Sequence, residues 1–330
     1  MKFLLLTGSL LWVLSGWAQT KHKGVCWVGG REVVTAEHIR HLQETGVTWI
    51  SQTPFGWQAG ANVPAIQMNT GEKVWWGESD VGIQITTELA RKQGIQTVLK
   101  PHLWLRQGWP GDIAMTSEAD WQAWFNSYEK FILHYARLAQ AASVDLFCVG
   151  TELQKTTTHE KQWRELIRKV REVYKGKLTY AANFHEEYEH IRFWDALDFI
   201  GIQAYFALSQ QNEPSVTELV QGWNPHLTAI EQLQQRYQKP VLFTEIGYRS
   251  TRDAAIEPWR WPKPTDEALL SEQAQANCYE AFFQKVWNKK WMAGVYFWKW
   301  YPKAGHRLHP VDFTPQQKKA EGILKKWFNL

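Results

Sequence analysis

Residues 241–248 read Val-Leu-Phe-Thr-Glu-Ile-Gly-Tyr. Lys239-Pro240 punctuates the front of this run and Gly247 closes its back. A short apolar stretch bounded by Pro and Gly is a buried strand rather than a helix. Its acid, Glu245, stands where such a strand leaves the core. A carboxylate there is costly to desolvate unless it has a partner or a task. Residues 145–152, Asp-Leu-Phe-Cys-Val-Gly-Thr-Glu, are built the same way and end on Glu152. Two strands therefore each deliver one carboxylate at their C-terminal end.

Outward from these two, the strand signature recurs at residues 23–28, 47–51, 95–100, 178–183, 199–205 and 293–300. Helical patterns lie between and after them, at 35–44, 83–93, 120–141, 160–174, 217–237, 271–288 and 315–328. Gly46, Gly94 and Gly176 close three of these helices, and Gly222 and Pro225 interrupt the fifth near its start. Residues 55–80, rich in Gly, Asn and Trp, read as a long loop of the kind that often carries function. Eight strands alternating with helices over one domain's length predict a parallel sheet closed into a single (β/α)8 TIM barrel spanning residues 20–330. The alternative is an open, doubly wound sheet. It would want a Gly-rich phosphate-binding turn after the first strand, and no such turn occurs there.

Residues 1–19 carry a basic end, an apolar run and the small-x-small triplet Gly16-Trp17-Ala18, which is the pattern of a secretory signal peptide. The apolar part is short for a membrane span, and no cysteine follows the cleavage site directly. Export to the periplasm or the medium is expected, with no stable membrane anchor after cleavage. Three cysteines, Cys26, Cys148 and Cys278, allow at most one bridge. Two fall in strand-like runs, and they are expected to be buried and reduced. A net charge of +4 leaves no footprint for nucleic acid. The histidines show no metal-ligand spacing, so neither a metal nor a cofactor is expected. There is no Gly-x-Ser-x-Gly elbow, which disfavours a serine hydrolase. The chain's 21 tryptophans suit a sugar, whose ring has an apolar face and a polar rim.

In barrels of this type the active site lies at the C-terminal ends of the strands. The residues there are Trp27, Gln52, Lys100, His102, Trp104, Glu152, Asn183, Gln203, Tyr205, Glu245, Trp298 and Trp300. Two carboxylates among aromatic and hydrogen-bonding side chains form the constellation for glycoside hydrolysis. One must be protonated and the other ionised, so their surroundings must hold their pKa values apart. A salt-bridged structural acid is the alternative for either glutamate taken singly. A secreted carbohydrate-binding protein on an inactive barrel is the non-enzyme alternative. It would be favoured by loss of one glutamate, and both are present.

The ordering of these residues resembles the retaining (β/α)8 glycoside hydrolases of clan GH-A. Gly-Thr-Glu-Leu at 150–153, Leu-Lys-Pro-His at 99–102, Pro-Phe-Gly-Trp at 54–57 and Phe-Thr-Glu-Ile-Gly-Tyr at 243–248 look like the β-mannanases of glycoside hydrolase family 113. The resemblance extends over essentially the whole mature chain. It implies Glu152 as acid/base and Glu245 as nucleophile, with Tyr205 hydrogen-bonded to the nucleophile. It also implies Trp298, or else Trp300, as the floor under the reacting sugar, and Lys100, His102 and Asn183 as sugar contacts. Trp27 and Trp104 join them from neighbouring strand ends. Most of the clan places Asn before the acid/base, against the sugar 2-hydroxyl, where this chain has Thr151. An altered contact there is compatible with mannose, whose 2-hydroxyl is axial. The expected activity is retaining cleavage of β-1,4-mannosidic linkages in mannan, glucomannan or manno-oligosaccharides. The alternative is a β-glucanase or xylanase using the same carboxylates. The expected partner is a β-linked oligo- or polysaccharide.

Overall fold

The computed structural model describes residues 20–69, 71, 74–303 and 310–330. The expected signal peptide, residues 1–19, lies outside them. The chain runs β1 (His22–Trp27), α1 (Ala36–Glu44), β2 (Trp49–Gln52), β3 (Phe55–Gln58), β4 (Ile66–Met68), α2 (Asp80–Lys92), β5 (Gln96–Leu99) and β6 (His102–Leu105). It continues through α3 (Glu118–Ala142), β7 (Leu146–Thr151), α4 (Glu160–Val173), β8 (Lys177–Asn183), α5 (Glu187–His190) and β9 (Ile200–Gln203). The last elements are α6 (Val216–Gly222), α7 (Asn224–Tyr237), β10 (Val241–Ile246), α8 (Glu272–Phe282), β11 (Met292–Trp300) and α9 (Lys319–Phe328). Strands β1, β2, β5, β7, β8, β9, β10 and β11 close into a parallel barrel, with β1 beside both β2 and β11. The predicted eight-stranded barrel is therefore the observed one.

Serine side chains set the start of several helices. Ser79, Ser117, Ser215 and Ser271 each accept a backbone N–H in the first turn of α2, α3, α6 and α8, satisfying a donor that the helix itself leaves unpaired. The pattern predicted over 217–237 is two helices, α6 and α7. Pro225 sits in the first turn of α7, where its missing N–H costs nothing. The pattern over 271–288 is α8 followed by a π-helical turn, Phe283–Trp287.

Two apolar layers follow from the strands' period of two. Val25, Ile50, Phe147, Ile202, Phe243 and Phe297 point outward and meet the helices. Cys26, Trp49, Val98, Leu146, Leu242 and Tyr296 point inward and fill the barrel. At the barrel's base the His22 ring stacks on Trp49, with centroids 3.7 Å apart, and shares a 2.7 Å hydrogen bond with the Tyr296 hydroxyl. Burial pulls the His22 pKa down to about 3, so this buried ring carries no charge. All three cysteines are buried and unbridged. Among the described residues no helix is long and apolar enough to cross a membrane.

One prediction needs correction. Residues 55–80 are not a plain loop, because β3 pairs antiparallel with β4 and parallel with β6 to form a separate three-stranded sheet. Residues 55–58 and 102–105 alternate outward and buried positions, which is the period of a strand lying on a helix. Gly56 lets this sheet press on α3, since a Cβ there would lie 2.5 Å from the Phe131 ring.

Candidate active site

Both candidate glutamates lie where the barrel's register breaks. On β7 the pairing with β8 shifts between Cys148 and Thr151, and on β10 the pairing with β9 shifts between Phe243 and Glu245. An irregularity of this kind re-aims the side chains beyond it. It lets neighbours Thr244 and Glu245 both serve the barrel axis, with the Thr244 hydroxyl donating to Gln203 Oε1 at 3.1 Å. Glu152 leaves β7 with φ of 52°. That left-handed conformation costs a non-glycine residue about 1–3 kcal/mol and is typical of functional sites.

The two carboxyl groups have different partners. Glu152 accepts from Asn183 Nδ2 at 2.7 Å on one oxygen and from Trp109 Nε1 at 3.2 Å on the other. Burial raises its pKa and the charge of Glu245 raises it further, against the two hydrogen bonds and Lys100. Glu245 accepts from the Lys100 ammonium on Oε1 and from the Tyr205 hydroxyl at 2.7 Å on Oε2. Burial pulls the Lys100 pKa down, the adjoining Glu245 pulls it up, and the net shift is upward. Burial and the neighbouring Glu245 push the Tyr205 phenol well up, so it stays a donor. One carboxyl is thus biased towards its protonated form, and the other is held by a cation and a phenol. Such a pair can donate a proton on one side of a bond while presenting a carboxylate on the other.

The carboxyls open into a cavity of about 630 Å³. His102, Trp104, Asn183, Tyr205 and Trp298 line it with Glu152 and Glu245. Burial and the Lys100 charge hold the His102 ring well below its usual pKa. Its Nε2 lies 3.7 Å from Glu245 Oε1 and has no hydrogen-bond partner among the described residues.

Other candidates lie elsewhere. Lys100 is 1% exposed and sits beneath the cleft, so it meets Glu245 rather than the open cavity. Trp27 is corrected from a sugar contact to an outer-layer residue. Its neighbour Cys26 takes the inward position, and Trp27 is 1% exposed in the helix layer. Trp300 is corrected likewise. Val25 and Trp27 of β1 pair with Phe297 and Trp300 of β11. The extra residue on β11 flips the face, and Trp300 packs 5.4 Å from His41 of α1. Gln52 also points outward and donates to Thr87 of α2 at 2.8 Å. The Thr151 hydroxyl is turned to the Pro101 carbonyl at 3.3 Å.

The sequence reading missed Trp109, Trp259 and Trp261, which also line the cavity. A signal was present: Trp109 lies between Gly108 and Pro110, and Trp259-Arg260-Trp261 between two prolines. Tryptophans in such turns have no strand or helix face to pack on. The loop carrying Trp259 and Trp261 is clamped at its base. The buried Arg249 guanidinium and Arg260 both reach Asp253 and Asp266, at 3.0–3.4 Å. Trp259 stacks on Phe184 at 5.2 Å, and Trp261 meets Trp298 edge-on at 6.3 Å.

The family model described as Glycoside Hydrolase Family 113 matches residues 20–319. Among solved structures, the GH113 β-mannanase AaManA from Alicyclobacillus acidocaldarius in complex with ManMIm superposes with a TM-score of 0.82. The two are 30% identical over 94% of this chain and 97% of that one. A GH113 β-1,4-mannanase, solved as a complex, matches with a TM-score of 0.81 and 25% identity, over 94% of this chain and 99% of its own. A β-glucuronidase from Ruminococcus gnavus, 12% identical with a TM-score of 0.62, covers 94% of this chain with 50% of its own and shares the fold alone. No curated protein sequence matches.

Proposed function

Because the chain belongs to glycoside hydrolase family 113, we propose that it cleaves β-1,4-mannosidic linkages in mannan, glucomannan or manno-oligosaccharides by retaining double displacement. The observation that carries the mechanism is the unlike environment of the two glutamates. Glu245 attacks the anomeric carbon while Glu152 gives its proton to the leaving oxygen. Glu152, now ionised, takes a proton from water, which attacks the same carbon, releases Glu245 and restores the configuration. Lys100 and Tyr205 hold Glu245 in place for the first step. Trp298, with Trp261 edge-on to it, offers the apolar ring on which the reacting sugar rests. His102 Nε2 is a polar atom awaiting a partner, and a sugar hydroxyl would satisfy it.

Support for mannosides comes from the two structural relatives named as β-mannanases, and Thr151, whose hydroxyl is engaged by backbone, is compatible with them. The test is product release from β-1,4-mannan, glucomannan, cellulose and xylan, with Glu245→Ala as control. Manno-oligosaccharides released by the wild type alone are expected, with the β-anomer appearing first by NMR. Activity confined to cellulose or xylan would overturn the substrate. An α-anomer formed first, or full activity of Glu245→Ala, would overturn the mechanism. We also propose that residues 1–19 direct export. N-terminal sequencing of the protein from periplasm and medium checks this, and an intact Met1 would reject it.

A further inference from the structure

The small sheet beside the barrel mouth has a face that the cleft only partly uses. On β3, Gly56 and Gln58 are buried towards α3, with Gln58 accepting from Trp124 at 3.1 Å. Phe55 and Trp57 therefore point the other way. On β6, Leu103 and Leu105 are buried in the core, so His102 and Trp104 share that opposite face. The parallel register sets Phe55 beside His102 and Trp57 beside Trp104. Ring centroids are 5.3 Å apart in the first pair, 6.1 Å in the second and 6.2 Å between Phe55 and Trp104. Trp57 is 44% exposed and Trp104 47%. A sheet face turned to water is ordinarily polar. A row of exposed aromatic rings on one is the mark of a binding surface.

The row has a direction. It begins at His102, whose Nε2 is 3.7 Å from Glu245. Phe55 and Trp104 line the cavity and Trp57 lies beyond its lining. On β4, Gln67 pairs with Trp57 and is exposed, which places an amide beside the outermost ring. We propose that this face is a distal sugar-binding platform. A β-linked glycan whose reacting unit lies at Glu245 continues over Trp104 onto Trp57, and Gln67 is placed to hydrogen-bond its hydroxyls. Continuity with the cleft identifies the occupant as the substrate's own chain. The 59° between the Trp57 and Trp104 planes suits successive sugar rings that are not coplanar. The inference rests on the glycosidase reading and adds that the enzyme takes chains longer than its cleft.

The test measures calorimetric binding of a disaccharide and a hexasaccharide of one series to the Glu245→Ala protein, with and without Trp57→Ala. Hexasaccharide affinity is expected to fall about three- to tenfold on removing the Trp57 ring. Disaccharide affinity is expected to hold, and Trp57→Phe to recover part of the loss. Unchanged hexasaccharide affinity overturns the platform, as does an equal loss for both lengths. The series is the manno-, cello- or xylo-oligosaccharide that the Glu245→Ala protein binds. Binding of a series other than the manno one counts against mannan alone, and the platform is then judged on that series. A Glu245→Ala protein that binds six units no more tightly than two overturns the platform and leaves the mannan reading standing. Should Trp57→Ala fail to fold, Trp57→Phe and Gln67→Ala replace it, and unchanged hexasaccharide affinity in both overturns the proposal.

Discussion

The Glu187 carboxyl accepts the backbone N–H of Asn183 at 2.6 Å. Its other oxygen accepts the Tyr180 hydroxyl at 2.5 Å, and that hydroxyl accepts the backbone N–H of Leu153 at 2.8 Å. Asn183 donates to Glu152, and Leu153 follows Glu152 in the chain. One buried carboxyl thus grips the acid/base candidate from both sides, through the end of β8 and through the turn after β7. Glu187 sits in the first turn of a short helix and stood outside the sequence-based candidates.

Burial raises the Glu187 pKa to about 8 from a usual value of 4.5, against the hydrogen bonds from Tyr180 and Asn183. Between those two pH values the folded protein holds a proton that the unfolded chain releases. Stability should therefore fall as pH rises through this window. Glu187→Gln, neutral throughout, should flatten that slope, as denaturant unfolding at pH 5 and pH 8.5 would reveal. Glu187→Ala leaves the Asn183 N–H and the Tyr180 hydroxyl without their acceptor and should cost about 1–3 kcal/mol for each buried group.

In the proposed mechanism Glu152 is protonated to release the leaving oxygen, so kcat/KM should decline on the alkaline side as this carboxyl ionises. The Asn183 side chain favours the ionised form. Asn183→Ala removes that donor, and the alkaline limb should move to higher pH. A pH–rate profile on an aryl glycoside reads this directly. A limb that moves down, or stays in place, would mean that Glu152 does not set it.

Lys100 is the buried cation on Glu245. Lys100→Met strips the carboxylate of that charge, and kcat should fall about 100-fold or more. Breaking a buried pair by removing one partner also destabilises by about 3–5 kcal/mol. Kinetics at a temperature where the variant remains folded would separate the two effects. Near-normal turnover would show that Tyr205 alone suffices to hold Glu245.

Trp298 and Trp300 lie two residues apart and should respond differently. Trp298→Ala removes a cavity-lining ring and should lower kcat/KM about tenfold or more. Trp300→Ala opens a hole beneath α1. It should cost about 3–5 kcal/mol of stability and leave the KM of the folded fraction unchanged. A raised KM in Trp300→Ala would return this residue to the cleft.

The runs ending at Glu152 and Glu245 are legible because a buried parallel strand is a continuous apolar stretch, and the first charged residue after it marks the way out of the core. Eight such runs were enough to identify the barrel. β1 pairs regularly with β2, and successive residues of a regularly paired strand face opposite ways, so Cys26 pointing inward puts Trp27 outward. Residues 55–58 read as loop from sequence because Pro54 ends the strand pattern of β2. The alternation that makes β3 a strand is only four residues long, and its partners β4 and β6 are set by pairing rather than by local pattern.

The eight barrel strands and their alternation with helices, the pair of strand-end carboxylates and the family resemblance can be read from the sequence alone. These are encoded in local apolar periodicity and in short motifs. Which of Trp298 and Trp300 faces the cleft is set by strand pairing, because a single register shift on β11 turns Trp300 away from Trp298. The tertiary structure also sets the unlike surroundings of the two glutamates. Glu152 is raised by burial and by Glu245, whereas Glu245 is held by Lys100, 145 residues away in sequence. Side-chain direction and charge state depend on what surrounds a residue in space, and no local stretch of sequence carries that information.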